Sequence, residues 1–569
     1  MTDLLPQDKQ ADPSDPYARK HQTFPVLTIE QIEKIKPFGV IENLPKGTIV
    51  FERGDRTVDF FVVLKGNIEI YEHTVDGLNV FTTHGHNQFT GEVDLFNNRQ
   101  ILVGGRMGED GTVIRVNRTN FRKLMTAEPD IGEIVMRAFI LRRVALITHK
   151  QGSVSILMRD KNADVVRMER FLRRNGYPVE ILDCKAKECE ELITKHALND
   201  DDLPAALVHL GDQIVKKPSN YQLAKALGLD EPFDEDDVYD VAIVGGGPSG
   251  LSAAVYAASE GLNTIVLESE APGGQASTSS KIENYMGFPT GISGQALAGR
   301  AQVQAMKFGA KIILPHAVKT LDCESYPYSL TLCSQEKIKA RSVIVASGAQ
   351  YRGLDLENCH TFDNAGVYYA ATPMEGEICS GEEIVIVGGG NSAGQAAMFL
   401  STHAAHVHIL IRKDTLVGSM SEYLISRIAA SPKITLHTHT EITALKGDAK
   451  LKSVEWTNRE TGDKETHDIR HVFLMIGAQA NTEWIKECIQ LDSKGFICTG
   501  LNVTTTQNWL LERPPMMLES SQPGVFAVGD VRAGSTKRVA TAVGEGGMCI
   551  SHVHQFLRSE DSEHLKEAA

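Results

Sequence analysis

Nine cysteines, at 184, 189, 323, 333, 359, 379, 488, 498 and 549, include no C-x-x-C pair, and their number is odd. That pattern excludes the usual zinc and dithiol signatures and argues against a disulfide framework. Scattered single thiols suit a reducing cytoplasm. No uninterrupted apolar run reaches the roughly 18 residues that a membrane helix needs. The opening MTDLLPQDKQADPSD is polar and acidic where a secretion signal is basic and then apolar. Basic residues are outnumbered by acidic ones, 58 to 73. A net charge of -15 argues against unspecific binding to nucleic acid or an anionic membrane.

What remains is globular in character, with 42% hydrophobic and 23% charged residues. A chain of 569 residues exceeds one core, and roughly 150 residues per domain implies about three to five domains. Residues 1–25 read as a polar, flexible arm. Residues 26–150 read as short strands with glycine turns (GTIVFERGD, DFFVVLKGNIEIYE, TVIRVNR) and then a helical stretch, FRKLMTAEPDIGEIVMRAFILRRVALI. Residues 151–229 alternate strand and helix, with Gly176 and Gly228 as helix stops. The acidic run at 230–237 reads as a solvated linker. From 238 to about 560, Gly-ended strands alternate with helices, which indicates α/β architecture.

The strongest local signal is VYDVAIVGGGPSGLSAAVYAASEGLNTIVLESE. An apolar strand runs into Gly245-x-Gly247-x-x-Gly250 and directly into a small-residue helix. Gly245 permits the tight turn, Gly247 admits a pyrophosphate, and Gly250 allows close helix–strand packing at a helix N-terminus that favours the anion. Glu268 ends the next strand, where an acid accepts both ribose hydroxyls. The pattern recurs as EEIVIVGGGNSAGQAAMFLSTHAAHVHILIRKD, with Gly388-x-Gly390-x-x-Ala393 and Asn391 and Ser392 opening the helix. Here the second strand ends in Arg412-Lys413. Cations there neutralise a 2′-phosphate, which favours NADPH over NADH. One acidic and one basic turn in one chain suit FAD plus NADPH.

Over about 238–556 the quoted turns, with PGGQASTSSKIENYMGFP, VIVASGAQYR and GVFAVGDVRAGSTKRVATAVGEGG, resemble low-molecular-weight thioredoxin reductases. The resemblance implies two Rossmann-type domains: an FAD domain split into 238–350 and 482–560, and an NAD(P)H domain at 351–481. It also implies homodimerisation. It places Gly273, Gly274, Gln275 and Asn284 along the flavin, Gly529 and Asp530 at the ribityl chain, and Arg538, Val539 and Ala540 at the ring. Val539 replaces the family's Gln, and Val417 stands where a further phosphate-binding Arg is common. The family's Cys-Ala-Thr-Cys is replaced by Ala370-Ala371-Thr372-Pro373, so no catalytic dithiol is assigned there. Dithiol exchange needs an attacking thiolate and a resolving thiol. Cys379, the nearest in sequence, reads as a buried small hydrophobe.

Residues 26–150 resemble the cyclic-nucleotide-binding β-roll of bacterial catabolite-activator proteins, on LPKGTIVFERGDRTVDFFVVLKGNIEIYEHTVDG and FTGEVDLF. That likeness makes Gly91, Glu92 and Arg99 candidate cyclic-nucleotide residues. Asn97-Asn98-Arg99-Gln100-Ile101 departs from the family's Arg-Ser/Thr-Ala, which weakens phosphate pairing. No helix-turn-helix follows. Residues 151–229 resemble a thioredoxin-like fold in which Arg159-Asp160-Lys161-Asn162 replaces the C-x-x-C, with Leu203-Pro204 at the cis-proline position. A redox pair of Cys184 and Cys189 is not expected.

Three functions stay open: an NAD(P)H:acceptor flavoenzyme regulated by its β-roll, a cofactor-binding redox or nucleotide sensor with little turnover, and a thioredoxin reductase using distant thiols. The acceptor of the first would be a quinone, a ferredoxin or flavodoxin, or a small disulfide.

Overall fold

A computed structural model describes residues 15–558, apart from 75, 76, 92, 97, 98, 152, 153, 160, 161, 209–212, 280, 281, 283, 284, 357, 364, 372, 449, 505–508 and 510. The chain divides into two compact units. The first is Met1–Ser347, Glu483–Leu491 and Ile497–Ala569; the second is Gly348–Thr482 and Asp492–Phe496.

In the first unit, α1 (Lys20–Thr23) and α2 (Ile29–Ile35) precede seven strands. These are β1 (Val40–Leu44), β2 (Ile49–Phe51), β3 (Phe60–Lys65), β4 (Ile68–Thr74), β5 (Gly77–His84), β6 (Gly104–Met107) and β7 (Gly111–Val116). They form two sheets, ordered β1-β7-β3 and β2-β6-β4-β5. Two helices close the roll, α3 (Arg118–Ala127) and α4 (Pro129–Thr148). The single helical stretch expected there breaks at Glu128, because Pro129 has no N–H to continue the first helix and is pre-set to start the second. Aromatic rings fill the core: Phe60 lies 4.9 Å from Phe121 and 5.5 Å from Phe89.

The expected flexible arm is corrected from Asp15 onward; residues 1–14 lie outside the described set. Thr23 is fully buried, and its carbonyl accepts from Arg142 Nε at 2.9 Å. Tyr17 stacks on His149 at 4.6 Å. Aromatic and buried polar anchors outweigh the polar composition of this segment.

Next come β8 (Val154–Met158), α5 (Ala163–Arg174), β9 (Val179–Asp183), α6 (Lys187–Lys195), β10 (Ala205–Val208), β11 (Gln213–Lys216) and α7 (Asn220–Ala226). The sheet order is β11-β10-β8-β9, and the Leu203–Pro204 peptide is cis. The expectation of single thiols is corrected here. Cys184 pairs with Cys189, their Cα atoms 4.7 Å apart, because the turn between β9 and α6 folds the chain back on itself. Cys323 likewise pairs with Cys488 across 165 positions, which spacing alone does not reveal. The acidic run is also more than a solvated linker. Asp230 accepts from His316 Nε2 at 2.9 Å, its carbonyl accepts from Arg56, and Glu231 is buried.

The first dinucleotide domain follows, with β12 (Val238–Val244), α8 (Pro248–Ser259), β13 (Thr264–Leu267), α9 (Gly294–Lys307), β14 (Lys311–Ile313), β15 (Val318–Asp322), β16 (Tyr328–Leu332) and β17 (Lys337–Val345). Strands β14-β13-β12-β17 are parallel, and β15 and β16 extend them antiparallel. The near-continuous apolar runs of β12 and β13 suit a sheet covered on both faces.

The second unit contains β18 (Ala349–Tyr351), β19 (Val367–Tyr368), α10 (Pro373–Ile378), β20 (Glu383–Val387), α11 (Asn391–Leu400), β21 (His406–Leu410), α12 (Glu422–Ala430), β22 (Ile434–His437), β23 (Thr440–Gly447), β24 (Leu451–Asn458), β25 (Lys464–His467), β26 (Val472–Leu474) and β27 (Ala478–Ala480). Its parallel sheet runs β19-β26-β20-β21-β22, beside a β23-β24-β25 meander. At the ends of the insertion, β18 and β27 pair antiparallel. The chain then returns to the first unit with β28 (Val525–Ala527), parallel to β17, and α13 (Val539–Arg558).

Candidate cofactor sites

The first turn sits between β12 and α8. Gly245 has φ +108°, and a Cβ there would lie 2.4 Å from the Ala346 carbonyl oxygen. A Cβ at Gly250 would lie 1.9 Å from the Gly245 carbonyl oxygen, so helix and strand meet only if 250 is glycine. At Gly247, the helix N-cap, a Cβ would meet nothing nearer than Gly274 Cα at 4.0 Å. That open backbone beside a helix N-terminus is the cradle a pyrophosphate requires. Glu268 is buried behind it and accepts from the Gly246 amide at 2.7 Å and the Glu270 amide at 2.9 Å. Burial raises its carboxyl above the ordinary range, against the pull of those amides and of Arg174. Ser269 Oγ also donates to it, at 3.5 Å, so this carboxylate is already an acceptor of several donors, the property that binding a ligand's hydroxyls requires.

Gly273 and Gly274 lie over this turn: the Gly273 amide donates to Gly246 O at 2.7 Å, and both take positive φ. Gln275 is exposed in the short helical turn that follows. Asn284 lies outside the described residues. An unforeseen partner holds the loop. Arg174, at the end of α5, donates to Glu270 (2.8 Å), the Gly274 carbonyl (3.0 Å) and Ser277 Oγ (3.2 Å). No local pattern could show this contact, because about a hundred residues separate the two sides.

Gly529 has φ +75°, and its amide donates to buried Glu545, which pairs with Arg532. Beside it, Asp530 is half-buried, and burial raises its carboxyl against the charge of Lys537. Arg538 precedes α13, with Val539 and Ala540 in the first turn; Arg538 and Ala540 are exposed. Helices α8 and α13 touch closely. A Cβ at Gly546 would lie 2.2 Å from Ser249 O, and Ser252 Oγ donates to Val543 O at 2.7 Å. Loop and returning segment therefore meet at the N-terminus of α8: a Cβ at Gly274 would lie 3.1 Å from Gly247 Cα, and one at Gly529 would lie 2.6 Å from Ser249 Oγ.

The second turn has the same backbone and different surroundings. Gly388 has φ +142°, and a Cβ there would lie 2.5 Å from Met475 O; a Cβ at Gly390 would meet nothing nearer than Ser419 O at 3.9 Å. Ala393 is buried, whereas Asn391 and Ser392 are exposed in the first turn of α11. The Asn391 carboxamide oxygen accepts from the Ser421 amide at 2.7 Å, tying the loop after β21 to the helix. Ile411 packs beside Gly389, and Arg412 and Lys413 follow it, exposed and without an ion pair among the described residues.

Ala370 and Ala371 lie between β19 and α10; Thr372 is outside the described residues, and Pro373 begins α10. Cys379 is fully buried after α10, and burial pushes its thiol up to about 11. In the β-roll, Gly91 has φ +112° and leads to a short helical turn, Val93–Phe96; Glu92 lies outside the described residues. Arg99 is buried and does not line the cavity inside the roll. Among the described residues no helix is long and apolar enough to cross a membrane, and no cluster of His, Cys, Asp or Glu could hold a metal ion.

Two families match this chain. Pyridine nucleotide-disulphide oxidoreductase covers residues 239–546, and the cyclic nucleotide-binding domain covers 41–128. A thioredoxin reductase of Mycolicibacterium smegmatis is 33% identical over 57% of this chain and 98% of its own. An NADPH-dependent thioredoxin reductase 3 of Arabidopsis thaliana is 29% identical over 62% of this chain, which spans 66% of that relative. A solved thioredoxin reductase from Giardia duodenalis matches 57% of this chain and 100% of its own, at 26% identity and a TM-score of 0.50.

Proposed function

The chain belongs to the pyridine nucleotide-disulphide oxidoreductase family, and on that premise we propose that it is a cytoplasmic, FAD-dependent NADPH oxidoreductase that delivers electrons to an acceptor outside the chain. One observation carries this reading: the two turns share a backbone and differ in charge at the ribose end. Glu268 is buried behind the first, and Arg412 and Lys413 are exposed beside the second. Gly245, Gly247, Gly250, Glu268, Gly273, Gly274, Gln275, Gly529, Asp530 and the start of α13 would hold FAD. Gly388, Gly390, Asn391, Ser392, Ala393, Arg412 and Lys413 would hold NADPH. We place the FAD domain at 238–350 and 482–560, the NADPH domain at 351–481, and a homodimer as the working form. When bound, the two cofactors would supply a hydride donor and a two-electron acceptor.

The residues around them bind, orient and exclude water. The amides at the start of α8 and α11 meet the pyrophosphates, and the small side chains of both helices keep the backbone close. Glu268 would fix an adenosine end by its carboxylate oxygens, whereas Arg412 and Lys413 would attract a 2′-phosphate.

Ala370, Ala371 and Pro373 supply no sulfur where related reductases hold a dithiol. Three of the four buried free thiols among the described residues are poor substitutes for it. Burial raises Cys359, Cys379 and Cys549, so at neutral pH they are protonated, and the thiolate is the nucleophile. A quinone, a ferredoxin or flavodoxin, or a small disulfide fits as the acceptor class.

Anaerobic addition of NADPH and then NADH to the yellow protein tests this reading, followed by a panel of those acceptors. Rapid bleaching by NADPH, slower bleaching by NADH and reoxidation by one acceptor class are expected. An unbleached flavin would overturn it. A second reading, a sensor with little turnover, is favoured by the docking of other modules on the flavin loop. The Val93–Phe96 turn packs on α9, and Arg174 grips Gly274. We assign the β-roll a regulatory role on the same contacts; fast steady-state turnover would exclude the pure sensor.

A further inference from the structure

Inside the β-roll lies a cavity of about 70 Å³. A water needs roughly 10–15 Å³ and two to four polar partners, so this space is large for water and poor in partners. Phe51, Ile70, Ile101, Val103 and Leu146 give it an apolar wall that also includes a hydroxyl residue, Thr82, and Tyr17 and Phe24 line it from the N-terminal segment.

A cyclic nucleotide does not match this lining. Its phosphate is an anion, and burying an anion demands several donors. Among the described residues the cation at the wall is Arg142. Its Nε and Nη1 already donate to the carbonyls of Thr23 and Gly91, and its guanidinium lies 4.7 Å from the centre of the Phe89 ring. Gly91 has a packing reason of its own, since a Cβ there would lie 2.5 Å from Leu95 Cδ1 and 2.8 Å from Phe139 Cζ.

A neutral polar group faces the same space. His84, at the end of β5, lines the cavity at 2% exposure, and among the described residues its Nδ1 has no hydrogen-bond partner. Burial, with Arg142 adding to it, holds this imidazole well below its ordinary range, so it is neutral. A buried, unpaired imidazole nitrogen costs free energy until a ligand satisfies it.

We propose that the β-roll binds a small, neutral aromatic molecule carrying one hydroxyl, its ring among the apolar side chains and its hydroxyl on His84 Nδ1. Occupancy has a route to the flavin loop. Leu95 lines the cavity and belongs to the turn that packs on α9, and Ala298 of α9 abuts Gly273. Only this consequence rests on the oxidoreductase reading; binding itself does not.

The test is calorimetry on the full-length, FAD-loaded protein with p-cresol, toluene, benzoate and cyclic AMP. Heat of binding is independent of hydride transfer, so failure here and failure of the oxidoreductase reading are separable. We expect p-cresol to bind with a dissociation constant below about 1 mM. Val103→Phe, which fills the cavity, should weaken p-cresol at least about tenfold. His84→Phe keeps the wall apolar and should weaken p-cresol about fivefold while leaving toluene unchanged. Unaltered circular dichroism and FAD content confirm that each variant folds, and where the filled variant does not, His84→Phe decides. Displacement of p-cresol by cyclic AMP, tighter binding of benzoate, or affinity unmoved by His84→Phe would each overturn the proposal.

Discussion

The two dinucleotide turns are alike in backbone and opposite in setting. At the first, Glu268 is buried and a loop lies overhead, held from outside the domain by Arg174. At the second, Arg412 and Lys413 at the ribose end are exposed, and so are Asn391 and Ser392 at the helix start. A site closed by several modules suits a cofactor that stays; an open, cationic one suits a cofactor that binds, reacts and leaves.

The sharpest way to break this contrast is to add side chains to the turns. Gly250→Val places its Cβ against the Gly245 carbonyl oxygen; we expect nearly complete loss of bound FAD and about 3 kcal/mol or more of stability, read by flavin absorbance and thermal unfolding. Gly390→Ala adds a Cβ with no atom nearer than 3.9 Å, so FAD content and Tm should hold while KM for NADPH rises about threefold to tenfold.

Removing the second turn's charge comes next. Arg412→Ala with Lys413→Ala should raise KM for NADPH about 100-fold and shift NADH by no more than about twofold. Equal losses for both nucleotides would place the 2′-phosphate elsewhere.

Arg174→Ala tests the closure of the first turn. It removes hydrogen bonds to Glu270, Gly274 O and Ser277, so about 1–2 kcal/mol of stability and faster FAD release are expected, measured by thermal unfolding and dialysis.

The smallest effect concerns acid. Burial and neighbouring imidazoles hold His408 and His437, 3.0 Å apart on β21 and β22, below the ordinary value of 6.5, against opposing pull from Glu383 and Glu465. The unfolded chain therefore binds protons that these groups refuse in the fold. Stability is retained above about pH 6.5 and declines as pH falls below it. Hydrogen exchange of β21 and β22 between pH 7 and 5.5, roughly spanning that window, should show faster opening, and His408→Gln should flatten the trend.

The parts legible in the sequence were those set by neighbours along the chain. Both glycine turns, the acid after β13, the cations after β21 and the alternation of β8–α5–β9–α6 follow from local sterics and periodicity. What stayed hidden depends on distant chain segments. The Cys184–Cys189 and Cys323–Cys488 pairs need turn geometry and a 165-residue closure. The N-terminal segment looked like a free arm until Arg142 and His149 provided its anchors. Arg174 carries no signal along the chain beyond lying near the Gly176 helix stop, although it holds the loop over the first turn. The apolar filling of the β-roll likewise required seeing which faces of seven strands turn inward.

The central claim is that electrons pass from NADPH to the flavin and leave without passing through the Cys184–Cys189 or Cys323–Cys488 pair. Anaerobic titration of the wild-type protein with NADPH tests it by electron count, since each NADPH carries two electrons. The account predicts that the flavin bleaches from the first addition and is fully reduced at about one equivalent of NADPH per FAD. A lag in bleaching with an endpoint near two equivalents would reveal a disulfide filling alongside the flavin, and would contradict it.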